Sequence, residues 1–529
     1  MTIASSLPLI AIYLLLFDVL LIGFVRLARP KFAFFWLLAA LGALSAWPMV
    51  LFTRSLIPQT IQTFRWEPVL LLPTSPNLLI DPISWPYAFA LATLALAIIL
   101  TDVARASEAD WTAWACILLL AALGLFAVQA GNPLTLLLAW TTLDLAEALI
   151  LLGHISQSKG RERVVVAFTT RLAGSILLIG TLVYGRWLGV EIDFTAMPTQ
   201  TSLLLLLAAA LRLGILPIHQ PFLQEDRFRR NLRTMSRLAI AASALMLMTR
   251  IATAGKIEPF HLMVLVVAGF AGLYSAYAWA GAHDEINGRA YWLLSFSFLV
   301  AAATVRGQPS AALAWGIAAL LSGGLLFLYS ARHRYLNVLL FLGLIGISIL
   351  PYTTSWPGAD LYATPFELVL VLFIVIQVML MIGYLYHTFR QGPKLSGVER
   401  WVWLIYPWGL MLIILAQLII GWYIKLPSIT LANSWPGILV CSLVTLFAIL
   451  QRKLEAGPIL APMIGRLNAV FSVVFSMNWF YQLLWRIYNT IGGFISLFTE
   501  VVEGEGGILW ALLFLVLLIV ILSQIGAGI

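Results

Sequence analysis

The chain has 529 residues, of which 62% are hydrophobic and 10% charged, with a mean hydropathy of +0.98. Apolar blocks of membrane-spanning length recur from end to end and leave no room for a sizeable soluble domain, so the sequence reads as an all-α polytopic membrane protein forming essentially one helical bundle. The formal charge of +8 would suit an acidic partner such as nucleic acid, but in this class it reflects basic cytoplasmic loops, and no nucleic-acid partner is expected.

Breaks at proline, glycine and charge clusters divide the apolar blocks into about sixteen spans. Residues 1–110 hold the N-terminal spans 4–25, 33–53 and 80–101. The first lacks a basic leader and a small-residue cleavage site, so no cleaved signal is expected. Residues 111–254 hold spans 111–129, 133–153, 165–185, 202–218 and 237–254. Residues 260–388 hold 260–281, 290–305, 309–330, 335–352 and 364–388. Spans 401–423 and 434–451 follow within 401–451, and 507–526 closes the chain. Cys116 and Cys441 both lie in apolar segments and read as packing residues.

Alternate loops sort the basic residues unequally. Of the 31 lysines and arginines, 22 fall on one side, six on the other (Arg54, Arg65, Arg186, Lys256, Arg306 and Lys425), and Arg171, Arg212 and Arg250 stand inside spans. The positive-inside rule makes the rich side cytoplasmic and puts both termini on the outer side, in what is expected to be a bacterial inner membrane.

Residues 455–505 differ from the rest. Asn468, Ser472, Ser476, Asn478, Gln482, Arg486, Asn489, Ser496 and Glu500 recur mostly at steps of three or four, the pattern of a helix with one narrow polar stripe. Gly492-Gly493 would interrupt a pair of spans here, so an amphipathic helix lying along the cytoplasmic face is expected. "LRLGILP", ending at Pro217, and "LIGISILP", ending at Pro351, are both apolar, glycine-containing and proline-ended. They lie five spans apart and so run in opposite directions. Paired interrupted helices in two inverted five-helix repeats point to an ion path near the midplane; the plainer reading is that prolines mark helix ends.

Taken in order, several stretches resemble one family. They are "LLIDPISWPYAFAL", "LFAVQAGNPLTLLLAWTTLDLAEALILLGH", "FTTRLAGSILLIGTLVYG", "RLGILPIHQPFLQED", "SGGLLFLYS", "LFLGLIGISILP" and "EGEGGILWALLFLVLL". They are similar to the antiporter-like proton-translocating subunits of respiratory complex I, Mrp cation/proton antiporters and membrane-bound hydrogenases. The resemblance implies broken seventh and twelfth helices, a lateral helix, partner membrane subunits and a row of titratable groups in the bilayer interior.

This chain departs from the family at the titratable positions. The fifth-helix glutamate, expected after a tryptophan, corresponds to Thr141 after Trp140; the seventh-helix lysine corresponds to Arg212; the eleventh-helix lysine falls at Gly323; and no basic residue is evident within "LAIAASALMLM" of the eighth. A buried lysine can release its proton near neutral pH, whereas a guanidinium stays charged, so Arg212 can attract or position but cannot relay. Asp144 and Glu147, three and six residues after Thr141, offer partial compensation.

An arginine at this depth requires an anion, so either Asp144 or Glu147 is expected to pair with Arg212, and Arg171 is expected to compete for the same carboxylates. His219 lies where the family also has a histidine, either passing protons at the broken helix or capping its exposed carbonyls. Glu367 faces a polar cavity or snorkels outward. His154 and His261 read as ordinary interfacial histidines, and Trp47, Trp85, Trp356, Trp401, Trp403, Trp408 and Trp435 as interfacial anchors.

No phosphate-binding loop, metal-ligand spacing, haem histidine pair or hydrolase motif occurs, so no catalytic residue, metal or cofactor is expected in the chain. Three functional expectations follow. The first is a membrane subunit of a complex I-like or Mrp-like assembly that moves protons or cations along a degenerate path. The second is a non-conducting scaffold subunit of such a complex, and the third an independent secondary transporter.

Overall fold

The computed structural model describes residues 6–64, 75–105, 110–155, 158–215, 230–258, 260–363, 365–390, 399–423 and 431–453, then 482, 485, 486, 489, 490, 492, 493, 496 and 512–517. The chain divides into two units, Met1–Pro458 and Ile459–Ile529. In the second unit the described residues are helical, among them Gln482, Arg486, Asn489 and Ser496 of the polar stripe. The greater part of the expected lateral helix (455–505) and final span (507–526) lies outside the described residues.

In the first unit, each of the first fifteen expected spans contains a helix. These are α1 (Leu7–Ala28), α2 (Phe35–Phe52), α3 (Ser84–Asp102), α4 (Trp111–Val128), α5 (Pro133–His154), α6 (Ser158–Trp187), α7 (Thr199–Leu213) and α8 (Arg230–Ala252). They continue as α9 (His261–Ala280), α10 (Arg289–Val305), α11 (Pro309–Leu328), α12 (Asn337–Ile345), α13 (Leu370–Phe389), α14 (Arg400–Tyr423) and α15 (Leu431–Lys453). Among the described residues, 12 helices are long and apolar enough to cross a membrane. In hydrocarbon the backbone must satisfy its own hydrogen bonds, which is why apolar stretches of this length fold as helices. Pro8, Pro133 and Pro309 sit in the first turns, where a missing N–H costs nothing, and the Asn132 side chain caps α5 by accepting from the Thr135 N–H at 2.8 Å.

Almost every residue of α3, α8, α10 and α11 is buried, so these helices form the centre. Helix α8 packs against α3, α4, α7, α10 and α11, while α6 lies across α5 and α7. The perimeter helices show large apolar side chains outward, as Phe17, Leu20 and Phe24 do on α1, which suits acyl chains. The tryptophans divide along the same line. Trp401, Trp403 and Trp408 are exposed, but Trp85 and Trp356, expected as interfacial anchors, are fully buried: each lies near a span end, yet on the side that faces the bundle.

One feature was not anticipated, and one expected break falls earlier than its proline. Strands β1 (Gln59–Gln62) and β2 (Asn77–Ile80) pair antiparallel between α2 and α3, with Gln59 opposite Ile80, and deliver Asp81 to the start of α3. In addition, α12 is helical only to Ile345, six residues before Pro351. The chain then turns through Ile349 (φ 53°) and Tyr352 (φ 67°) before a 3₁₀ segment, Trp356–Tyr362. The carbonyls freed by this break find side-chain donors: Ser322 to Gly343 at 3.0 Å, Thr354 to Gly346 at 3.2 Å and Gln377 to Ile347 at 3.2 Å.

The α10–α11 turn depends on Gly307, whose φ is +68° and whose Cβ, if present, would lie 2.6 Å from the Gly255 carbonyl carbon. Gly307→Ala is expected to cost more than about 1 kcal/mol, because both backbone conformation and space oppose it. Thermal unfolding in detergent checks this against Gly281→Ala, whose added Cβ would meet nothing nearer than 3.5 Å.

Candidate functional site

Trp140, Asp144 and Glu147 follow the four- and three-residue steps that keep side chains on one face of α5, and that face is buried. Arg171 comes to it from α6, Arg212 from the last turn of α7, and Arg233 and Ser236 from the first two turns of α8. Arg212 holds Asp144 with both terminal nitrogens, Nη1 to Oδ2 at 2.6 Å and Nη2 to Oδ1 at 2.9 Å. Arg171 spans both carboxylates, with Nε 3.2 Å from Asp144 Oδ1 and Nη2 donating to Glu147 Oε2. Glu147 Oε1 accepts from Arg233 Nη1 at 2.9 Å and from the Ser236 hydroxyl.

Of the two expected partners, Arg212 therefore takes Asp144, while Arg171 joins the pair to Glu147 instead of competing for one carboxylate. Asp144, Glu147, Arg171 and Arg212 are each less than 5% exposed. Isolated, each ion would carry several kcal/mol of desolvation cost; paired bidentately and hydrogen-bonded, they offset one another. The Arg212 guanidinium also lies 4.2 Å from the Trp140 ring centroid, and Ser175 Oγ is 3.4 Å from its Nη1. That stacking fixes the plane of the guanidinium and leaves it few alternatives. Beside the network is a small cavity lined by Glu147, Arg171, Arg212, Arg233 and Arg237, with about 30 Å³ open to the centre of a water molecule. This is room for about one or two waters.

The other expected site residues lie elsewhere. Thr141 is on the exposed side of α5, its hydroxyl donating to Leu137 and Leu138 carbonyls at 3.0 Å, so it does not join the network. One residue round from Trp140, its side chain points about 100° away from the buried face. Glu367 belongs to a separate group, with Arg306 Nη1 at 3.2 Å and His261 Nε2 at 3.8 Å. His154 Nδ1 sits 2.7 Å from the Ile150 carbonyl of its own helix. Pro217 and His219 lie outside the described residues; α7 ends before them at Gly214, in the left-handed conformation at φ 75°.

Around Gly323 the character changes. A Cβ on Gly323 would lie 2.3 Å from Trp292 Nε1, which itself donates to the Ala319 carbonyl at 2.9 Å. Trp292 is enclosed in turn by Trp279, Phe296 and Tyr384, with ring centroids 5.1, 4.6 and 5.8 Å away. On the far side Gln417 donates to Ser322 Oγ at 3.0 Å. The surroundings of Gly323 are thus aromatic rings and neutral amides and hydroxyls.

No protein-family model matches the sequence, and neither does any of the curated proteins compared. Solved structures do match. A chain of the Mrp complex from Dietzia sp. DQ12-45-1b superposes with a TM-score of 0.69 at 14% identity over 99% of this chain, which spans 63% of that one. A chain of respiratory complex I from Thermus thermophilus gives 0.61 at 17% identity, covering 82% of this chain and 99% of its own. A chain of the membrane-bound sulfane sulfur reductase, an archaeal respiratory membrane complex, gives 0.65 at 14% identity over 98% of this chain and 99% of its own. The chain has the fold of the antiporter-like membrane subunits.

Two further charge groups surround the central helices of this antiporter-like fold, and sequence reasoning passed over both. Arg250, two residues beyond the stretch of α8 in which no basic residue was evident, is fully buried and holds Asp81 at 2.9 and 3.2 Å. The signal was present in the aspartate of "LLIDP" and the one arginine left inside span eight. Glu285, between α9 and α10, accepts from Arg230 at 2.8 Å and from Arg332 at 3.1 Å. Burial alone would raise the Glu285 carboxyl, but the two guanidinia outweigh it and hold it below the usual carboxylate range.

Two outcomes follow. Asp144→Asn leaves Arg212 and Arg171 facing a neutral amide and is expected to cost about 3–5 kcal/mol in thermal unfolding of the purified chain, whereas Thr141→Val should stay within about 0.5 kcal/mol. Glu285→Gln is expected to cost about 3 kcal/mol at neutral pH. Because the folded pKa is depressed, that contribution is complete above the unfolded value of about 4.3 and disappears as pH falls through the folded value. Wild type and variant should therefore differ by a constant amount from pH 6 to 8 and draw together only as the pH falls below the unfolded value of about 4.3.

Proposed function

We propose that the chain is an antiporter-type membrane subunit of a multi-subunit complex that moves protons or cations, and that it contributes a fixed-charge scaffold instead of a continuous proton line. Its opposed repeats, 111–254 and 260–388, place the charged network in one half and the neutral α12 break in the other, and the amphipathic stretch 455–505 would run along the cytoplasmic face. The observation that carries the reading is Gly323. The family's eleventh-helix lysine would stand there, and the indole of Trp292 fills the place its side chain would need. Arg212 adds to this: a guanidinium keeps its proton at any pH a protein survives, so the seventh-helix position holds charge but does not pass it on.

A conducting reading has one observation in its favour, the cavity that lets about one or two waters reach Glu147, Arg171 and Arg212. Proton and sodium flux into proteoliposomes carrying the intact complex separates the two. Unchanged flux with Arg212→Ala and Asp144→Asn, in complexes that still assemble, supports the scaffold; a loss of flux of more than about tenfold in assembled complexes supports a path through α5 and α7 and overturns it. Gly323→Lys should lower stability without raising flux, because a Cβ already collides with Trp292.

A further inference from the structure

Helices α2 and α14 end side by side on the outer side, and between their ends lies an open groove of about 790 Å³. Its walls are Leu51 and Phe52 from α2 and Leu418, Ile419 and Trp422 from α14. Phe52, Leu418 and Trp422 are 61%, 65% and 87% exposed, so among the described residues they form uncovered surface. Arg54 stands at one end of the groove. Its guanidinium is held over two rings, 4.9 Å from the Tyr423 centroid and 5.7 Å from that of Trp85. Trp85 is itself fixed, buried and donating through Nε1 to the Val50 carbonyl at 3.0 Å. Among the described residues no carboxylate pairs with Arg54. The cation is positioned by aromatic faces, which leave the N–H donors at its edge unspent.

Depth decides what would occupy such a groove. The 18 residues of α2 rise about 27 Å, close to the roughly 30 Å hydrocarbon thickness, so Phe52 ends at the hydrocarbon boundary and Arg54 lies at headgroup level. Leu418 and Ile419 sit about one turn below Tyr423 on α14, on the hydrocarbon side. A guanidinium that no described carboxylate neutralises, set above an apolar trough, matches a phosphodiester above an acyl chain, with two parallel N–H bonds available to the phosphate oxygens. A quinone would bring no anion for Arg54.

We propose that the groove between α2 and α14 is a binding site for one glycerophospholipid, its phosphate on Arg54 and an acyl chain along Leu51, Leu418 and Ile419. Native mass spectrometry of the full chain tests this, after detergent delipidation and addition of 1-palmitoyl-2-oleoyl phosphatidylglycerol. Wild type should retain one tightly held lipid, and Arg54→Ala should lower its retention about tenfold, the effect of losing a charge-assisted pair. Ile419→Trp, which fills the groove and leaves Arg54 in place, should do the same and decides the matter should Arg54→Ala fail to fold. Glycerol 3-phosphate alone should not be retained, since it lacks the chain. Equal retention by both folded variants and wild type would overturn the proposal. So would equal binding of glycerol 3-phosphate, which would make this a free-phosphate site, or a quinone or polypeptide held in the groove as isolated.

Discussion

A charge inside hydrocarbon is stable only where an opposite charge and enough hydrogen bonds replace the water it has lost, and the α5–α8 region is organised around that constraint. Arg212 cannot discharge itself, so the anion has to come to it. Asp144 does, in a two-pronged contact that only carboxylate and guanidinium planes make. Every other placement follows from that pair. Arg171 shares Asp144 and reaches Glu147; Glu147, now holding one arginine, takes a second from α8; Trp140 lies against the face of the first guanidinium. Four helices are fixed in mutual register by side chains that have no lower-energy alternative at this depth.

The same physics separates an ion path from an ion lock. A path needs groups that exchange protons at accessible cost, with water between them. Bidentate pairs buried at 2.6–2.9 Å raise that cost, because removing or adding a proton leaves the partner uncompensated. At the α12 break Ser322, Thr354 and Gln377 satisfy the carbonyls as neutral donors, and Gln417 donates in turn to the Ser322 hydroxyl. An interrupted helix thus stands there on neutral hydrogen bonds alone, without an acidic or basic side chain among these donors.

How much of this was legible in the sequence depended on whether the signal was local. Helix positions were, because an apolar run of spanning length has one solution in a bilayer; even the interruption near Pro351 could be read, although the helix stops at Ile345, where Gly346 and the side-chain donors take over. The Arg212–acid pairing was legible as a necessity, but the choice of Asp144 over Glu147 was not, since it rests on where α6 delivers Arg171. Thr141 illustrates the limit of matching positions to a family: the residue after Trp140 aligned with a functional glutamate, yet helical geometry turns it outward. The β1–β2 pair stayed hidden because strands of 4 residues are too short for an alternation to show, and the Arg250–Asp81 pair because it joins segments far apart in the chain, where no periodicity reports the contact.

Helix α8 gives these separate charge groups a common frame. Within its first two turns Arg230 reaches Glu285, Arg233 reaches Glu147, and Thr234 Oγ1 accepts from Arg289 of α10 at 2.5 Å. At its other end Arg250 reaches Asp81. A helix held at both ends by buried ion pairs and packed on all sides by α3, α4, α7, α10 and α11 behaves as a rigid strut: turning it to free one pair would break the others at the same time. Any event that altered the charge of one cluster would therefore be felt by the rest through the position of α8, without an ion passing between them. Rigidity of this kind needs only fixed charges, whereas conduction needs mobile ones.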